Sequence, residues 1–172
     1  MDKISVLISK EAIETRIQEM ADKINQDYAG KEVHLVGILK GSVFFVCELA
    51  KRLTIPVTMD FMSVSSYGAG TESSGRVKIV MDLAESIKDK HVIIVEDIID
   101  SGNTLNYLMP VLSNRQPASM KLIALLDKPD RRVKEVPIDD VGFVIPDAFV
   151  VGYGLDYAQK YRNLPYIGIV EI

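Results

Sequence analysis

The chain has one cysteine, Cys47, in 172 residues, which excludes an internal disulfide. It contains no apolar run near the roughly 20 residues that a bilayer-spanning helix needs. Its first residues, Met1-Asp-Lys-Ile-Ser-Val, carry no apolar h-region. Positive charge is also scarce: 20 Lys and Arg stand against 24 Asp and Glu, giving a net charge of −4 and a pI near 5.2. A general binder of nucleic acid or of anionic membranes would normally be basic. Internal repeats, low-complexity tracts and interdomain linkers are missing too. These absences predict a soluble cytoplasmic protein with neither membrane nor nucleic acid as partner. The length and 48% hydrophobic content suit one core and one domain spanning residues 1–172.

What is present centres on His91-Val-Ile-Ile-Val-Glu-Asp-Ile-Ile-Asp-Ser-Gly-Asn-Thr104. Val92 to Val95 is a β-branched run too short for a helix and typical of a strand buried on both faces. Glu96 and Asp97 follow where that strand is expected to end. Asp100 comes next, then the small-residue turn Ser101 to Thr104, after which Leu105, Leu108, Met109 and Leu112 recur at helical spacing. A strand, a tight turn and a helix start gather backbone N–H groups and the positive helix end on an anion. Gly102 permits close approach, and Ser101 and Thr104 add hydroxyl donors. The carboxylates cannot hold phosphate, but they suit ribose hydroxyls or a divalent cation. The segment reads as a ribose-5-phosphate site.

The remaining chain alternates the same way. Residues 10–29 read as an amphipathic helix, with Ser9 as N-cap, Gly30 at the C′ position, and Ile13, Ile17, Met20, Ala21 and Ile24 on one face. Val33 to Leu39 is a buried strand, within which His34 reads as structural. Lys40-Gly41-Ser42 then leads into a helix over about 43–53, a second anion turn that carries a lysine. Two such turns suggest a ligand with two phosphate groups. Cys47, amid Phe44, Phe45, Val46 and Leu49, reads as a core thiol. Strands are expected over 57–65, 77–81 and 121–126, with short ones over 141–146, 149–154 and 166–170. Pro110 should kink or shorten its helix, and Asp130 to Glu135 reads as a solvated charged face. The fold class is therefore α/β: a mainly parallel sheet flanked by helices, with segment 128–172 as a small hood.

The order of apolar run, Glu96-Asp97, two isoleucines and Asp100-Ser101-Gly102-Asn103-Thr104 resembles the phosphoribosyl-pyrophosphate (PRPP) motif of type I phosphoribosyltransferases. The carboxylate at Asp100 further resembles the hypoxanthine-guanine branch. The resemblance covers nearly the whole chain beyond the first helix. It implies that Lys40 and Gly41 bind pyrophosphate, with a non-proline cis peptide before Lys40, and that Ser101, Gly102, Asn103 and Thr104 hold the 5′-phosphate. Some relatives carry lysine at Asn103. Glu96 and Asp97 would hold the ribose hydroxyls, directly or through Mg²⁺, and Asp156 would reach that ion through water or pyrophosphate. Lys128 would read the exocyclic oxygen of a purine, Phe149 would stack on its ring, and Val150 would meet its edge. Arg162 would bind pyrophosphate. Ser66 and Tyr67 would open a loop, 66–75, acting as a lid, and Asp100 would be the catalytic group at purine N7.

The expected activity is Mg²⁺-dependent transfer of 5-phosphoribose from PRPP to N9 of hypoxanthine, guanine or both, with release of pyrophosphate. PRPP and a 6-oxopurine are the expected partners, and relatives assemble as homodimers or homotetramers. Two alternatives stand beside this reading. One is a phosphoribosyltransferase for xanthine, orotate or uracil. The other is the RNA-binding regulator of pyrimidine genes on the same fold, which the acidic composition disfavours.

Overall fold

The computed structural model describes residues 2–66 and 77–171. In chain order its first elements are β1 (Lys3–Ile8), α1 (Lys10–Asp27), β2 (Val33–Leu39), α2 (Val43–Lys51), β3 (Val57–Ser66) and β4 (Val77–Met81). Then come β5 (His91–Ile99), α3 (Asn103–Ser113), β6 (Ser119–Asp127), a 3-10 turn (Pro129–Arg131), β7 (Asp140–Val144), β8 (Val150–Val151) and β9 (Ile167–Glu171). A six-stranded sheet has the order β4-β3-β2-β5-β6-β7. All its pairs are parallel except the edge hairpin of β3 with β4.

The central strand is apolar on alternate residues toward two different covers, as a strand buried on both faces must be. Val92 and Ile94 pack with Leu105, Leu108 and Leu112 of α3, whereas Ile93 and Val95 pack with Ile17 of α1 and with Phe45 and Leu49 of α2. Leu108 is fully buried, and truncating such a side chain to alanine costs about 2–5 kcal/mol. The first helix follows its sequence pattern: Ser9 Oγ accepts from Ala12 N at 3.1 Å, and the five apolar positions named above are its buried face.

Two expectations are corrected. Glu96 and Asp97 lie inside β5, not past its end, because the strand keeps pairing with β6 through Ile98 and Ile99. Pro110 lies inside α3, which continues three residues beyond it to Ser113. The small hood expected over 128–172 is a three-stranded sheet of β8 and β9 with β1, while β7 extends the main sheet. That first strand was not expected from the sequence, since its lone partner, β9, lies at the far end of the chain. Finally, Asp130 to Glu135 is not merely a solvated face. Arg132 keeps only 15% of its side chain exposed and pairs with Asp127.

Candidate functional site

The carboxyl ends of parallel strands leave a crevice where neighbouring connections diverge, and α/β folds bind ligands there. Here β2 and β5 are paired neighbours, and the turns that follow them line one cavity of about 340 Å³.

After β5, the turn is shaped by Gly102, whose φ of +85° is open to few residues besides glycine. Gly102 caps α3 without a side-chain hydrogen bond, so the first-turn amides beyond Asn103 keep donors for a ligand. Ser101 Oγ accepts from Asn103 N at 3.3 Å. Ser101, Gly102 and Thr104 line the cavity, while Asn103 begins the helix beside them.

After β2, the peptide Leu39–Lys40 is cis, as the resemblance implied. Ser42 caps α2 without its hydroxyl oxygen accepting from the helix-start amides; the hydroxyl donates to Ile38 O at 2.7 Å. Gly41 has no room for a side chain, because a Cβ there would lie 1.6 Å from Asp97 Oδ2. Gly154 presses on the same turn from the other side: its own Cβ would lie 2.1 Å from Gly41 O.

Between the turns stand the two acids. Glu96 is buried, and Asp97 is partly so. Burial, and then the charge of Asp97, push the Glu96 carboxyl well above its ordinary value. Burial raises Asp97 as well, opposed by hydrogen bonds from Glu96 and from Ile98 N, the latter at 2.6 Å. The pair therefore favours holding a proton while no cation is near.

Opposite them is a cluster that the sequence only half disclosed. Arg162 donates to Gly154 O at 2.7 Å and faces Asp156 Oδ1 at 3.3 Å. Gln159 Oε1 accepts from both Arg162 and Lys40, at 3.1 and 3.4 Å. The latter two are the cations expected to meet pyrophosphate. Gln159 was missed, and no local signal marked it.

A second cavity, about 380 Å³, adjoins the first and shares Ile98, Asp100 and Asp156 with it. Lys128, Phe149 and Val150 line it, together with Arg131 and Asp147. Lys128 is buried and has no ion-pair partner among the described residues. Phe149 is 45% exposed and stands edge-on to Tyr157, 5.5 Å between ring centroids, so one ring face can receive a planar ligand. Asp100 has one carboxyl oxygen buried without a hydrogen bond; Arg131 Nε is 3.6 Å away. Ser66 ends β3 opposite Val77, whereas Tyr67 and the rest of the expected lid lie outside the described residues. Every other expected site residue is at one of these cavities or in the turns that form them.

Glu96, Asp97 and Asp156 do not converge as one metal-ligand set, and among the described residues no group of three or more His, Cys, Asp or Glu does so. Mg²⁺ binds through one or two carboxylates and completes its shell with water and substrate phosphates, and the neighbouring acids Glu96 and Asp97 are a donor pair of that kind.

Residues 7–158 match the family described as "Phosphoribosyl transferase domain". The chain is 50% identical over 171 residues to the hypoxanthine phosphoribosyltransferase of Salmonella typhimurium, covering 98% of this chain and 96% of that one. It is 51% identical over 166 residues to the bifunctional protein TilS/HprT of Listeria monocytogenes, covering 96% of this chain but 26% of the relative. The chain thus spans about a quarter of that longer protein. A crystal structure of a hypoxanthine-guanine phosphoribosyltransferase from Bacillus anthracis superimposes with a TM-score of 0.94 at 45% identity, covering 99% and 100% of the two chains.

Proposed function

The chain belongs to the phosphoribosyl transferase domain family, and on that premise we propose that it transfers 5-phosphoribose from PRPP to N9 of hypoxanthine or guanine. The observation that carries this reading is the meeting of the two cavities at Asp100. The anion turns furnish one side, and a buried lysine with an open aromatic face furnishes the other.

In this reading the turn Ser101 to Thr104 holds the 5′-phosphate on backbone donors, and Lys40, Gly41 and Arg162 receive the pyrophosphate. Glu96 and Asp97 accept from the ribose hydroxyls. Lys128 donates to the purine 6-oxygen, Phe149 stacks on the ring, and Val150 meets its edge. Asp100 accepts the N7 proton as C–N bond formation proceeds at N9. Fixing both substrates across one shared wall removes much of the entropic cost of their encounter. A magnesium ion held by Glu96 or Asp97 and by Asp156, jointly with substrate oxygens, would neutralise charge on the departing pyrophosphate.

We assign the reaction to the cytoplasm from the composition, and expect a homodimer or homotetramer by the resemblance alone. The described helices include none long and apolar enough to cross a membrane. The test is a direct one: purified protein, PRPP and Mg²⁺ are incubated with hypoxanthine, guanine, xanthine, adenine and uracil. Nucleoside monophosphate should form with hypoxanthine or guanine, and chelation should stop it. No product from any 6-oxopurine would overturn the proposal.

A further inference from the structure

The charged run after β6 wraps the back of the phosphate turn. Arg132 Nε donates to Asp100 O at 3.2 Å. The next two amides, Val133 N and Lys134 N, both donate to Ser101 O, at 2.8 and 3.0 Å. Asn106 Nδ2, in the first turns of α3, donates to Glu135 O at 3.2 Å. The fit behind Gly102 is tight: a Cβ built there would lie 2.3 Å from Lys134 O and 3.0 Å from Arg132 Cδ.

Two successive carbonyls of the turn are thus held from behind, and planar peptides turn this into an effect in front. The only cis peptide recorded among the described residues is Leu39–Lys40, so the Asp100–Ser101 and Ser101–Gly102 peptides are trans. In a trans peptide the C=O and the N–H point in opposite directions. Holding Asp100 O toward Arg132 directs Ser101 N–H away from Arg132, and holding Ser101 O toward Val133 and Lys134 does the same for Gly102 N–H. Ser101 and Gly102 line the phosphate cavity, whereas Arg132 lines neither cavity. Among the described residues neither amide donates to another backbone group.

Arg132 is itself held. Its second nitrogen donates to Asp127, and both side chains are nearly buried, 15% and 13% exposed. Asp127 ends β6 directly opposite Ile99. The guanidinium therefore links the last pair of β5–β6 to the first peptide of the phosphate turn. A lysine could keep the charge but not the fork that serves carboxylate and carbonyl together.

We infer that Arg132 is a positioning residue which, through the Asp100 carbonyl, aims the Ser101 amide at the 5′-phosphate. This deepens the proposed function and rests on its placement of that phosphate. Removing Arg132 alone would leave Asp127 as a buried unpaired charge and could unfold the chain. The informative variant is therefore Arg132→Gln combined with Asp127→Asn, which leaves two neutral amides able to bond each other but too short to reach Asp100. Arg132→Lys supplies the charge-conserving control.

The measurement is calorimetric binding of ribose 5-phosphate and, separately, of Mg²⁺-pyrophosphate to the full chain. Both variants should bind ribose 5-phosphate about tenfold to a hundredfold more weakly, the loss expected for a charge-assisted hydrogen bond. Pyrophosphate, which meets the other turn, should bind as in wild type. Unchanged ribose 5-phosphate affinity would overturn the inference, as would equal weakening of both ligands, which marks a general structural role. A wild-type chain that binds ribose 5-phosphate yet makes no nucleotide would overturn the proposed reaction and leave Arg132's role standing. Wild type that does not bind ribose 5-phosphate would overturn both.

Discussion

The two cavities that meet at Asp100 are built on different principles. On the proposed reading, the phosphate side consists of two strand–turn–helix connections, each continuous in sequence, in which backbone amides and close contacts would carry recognition. Its tolerances are severe: at Gly41, Gly102 and Gly154 an added Cβ would lie within 2.3 Å of another atom. The base side is assembled from separate stretches: Ile98 and Asp100, Lys128 and Arg131, Asp147 to Val150, and Leu155 with Asp156. Side chains would do the reading there, and Phe149 stays half open to solvent. A phosphate is the same in every substrate and can be met by fixed backbone. A base must be distinguished from its analogues, which requires side chains that can differ.

The largest effect should come from the wall that both cavities share. Asp100→Asn keeps the shape and removes the charge, so kcat should fall about 10²–10⁴-fold, the range for a lost general acid–base group. PRPP binding, measured separately, should change little. An unchanged kcat would reduce Asp100 to a structural turn residue and leave the cavities without a common chemical step.

Next in size is a change confined to the base side. An ammonium has donors and no acceptor, so wild type should use hypoxanthine and essentially ignore adenine. Lys128→Gln offers both a donor and an acceptor. It should narrow that preference about tenfold to a hundredfold, the scale of one hydrogen bond from a charged group, with PRPP affinity preserved. Equal rates on the two purines in wild type would remove Lys128 from base selection.

A change confined to the phosphate side should be smaller. Gly41→Ala drives its Cβ into Asp97, whose other oxygen is held by Ile98 N at 2.6 Å. Overpacking of this kind costs about 1–3 kcal/mol, so PRPP KM should rise about tenfold while hypoxanthine KM stays put. If both KM values rose together, the two sides would not be separable and the contrast drawn above would fail.

The same contrast explains what could be read from the chain in advance. The turns at 40–42 and 101–104 were legible because strand, turn and helix start are consecutive, and glycine with small hydroxyl residues marks the tight bend. The inner strands β2, β5 and β6 were legible as short apolar runs. By contrast, β1 pairs only with β9 at the far end of the chain, so no window of sequence announces it. Lys128, Phe149 and Val150 could be placed only through the family resemblance, since nothing local separates a pocket lysine from a surface one. Arg132 and Gln159 were missed for the same reason. Their partners lie at Asp127 and Asp100, and at Lys40, brought near only by folding.

The smallest predicted effect concerns the acid pair alone and needs no substrate. Glu96 is buried on the phosphate side with its carboxyl held well above the ordinary 4.5, by burial first and then by Asp97. The folded chain therefore binds this proton more tightly than the unfolded chain does. Where the folded state binds more protons, stability falls as pH rises. The contribution is complete below about pH 4.5 and drains away as pH climbs through the raised value. Each tenfold difference in proton affinity is about 1.4 kcal/mol, and each kcal/mol moves Tm by about 2–4 °C in a chain of this length. Glu96→Gln keeps the shape and cannot ionise, so it should lack this part of the pH dependence. Melting of ligand-free protein at a series of pH values should show wild type losing ground to Glu96→Gln from about pH 4.5 upward. Parallel curves would mean that Glu96 ionises in the fold as it does in water, and that the acid pair holds no extra proton before its ligands arrive.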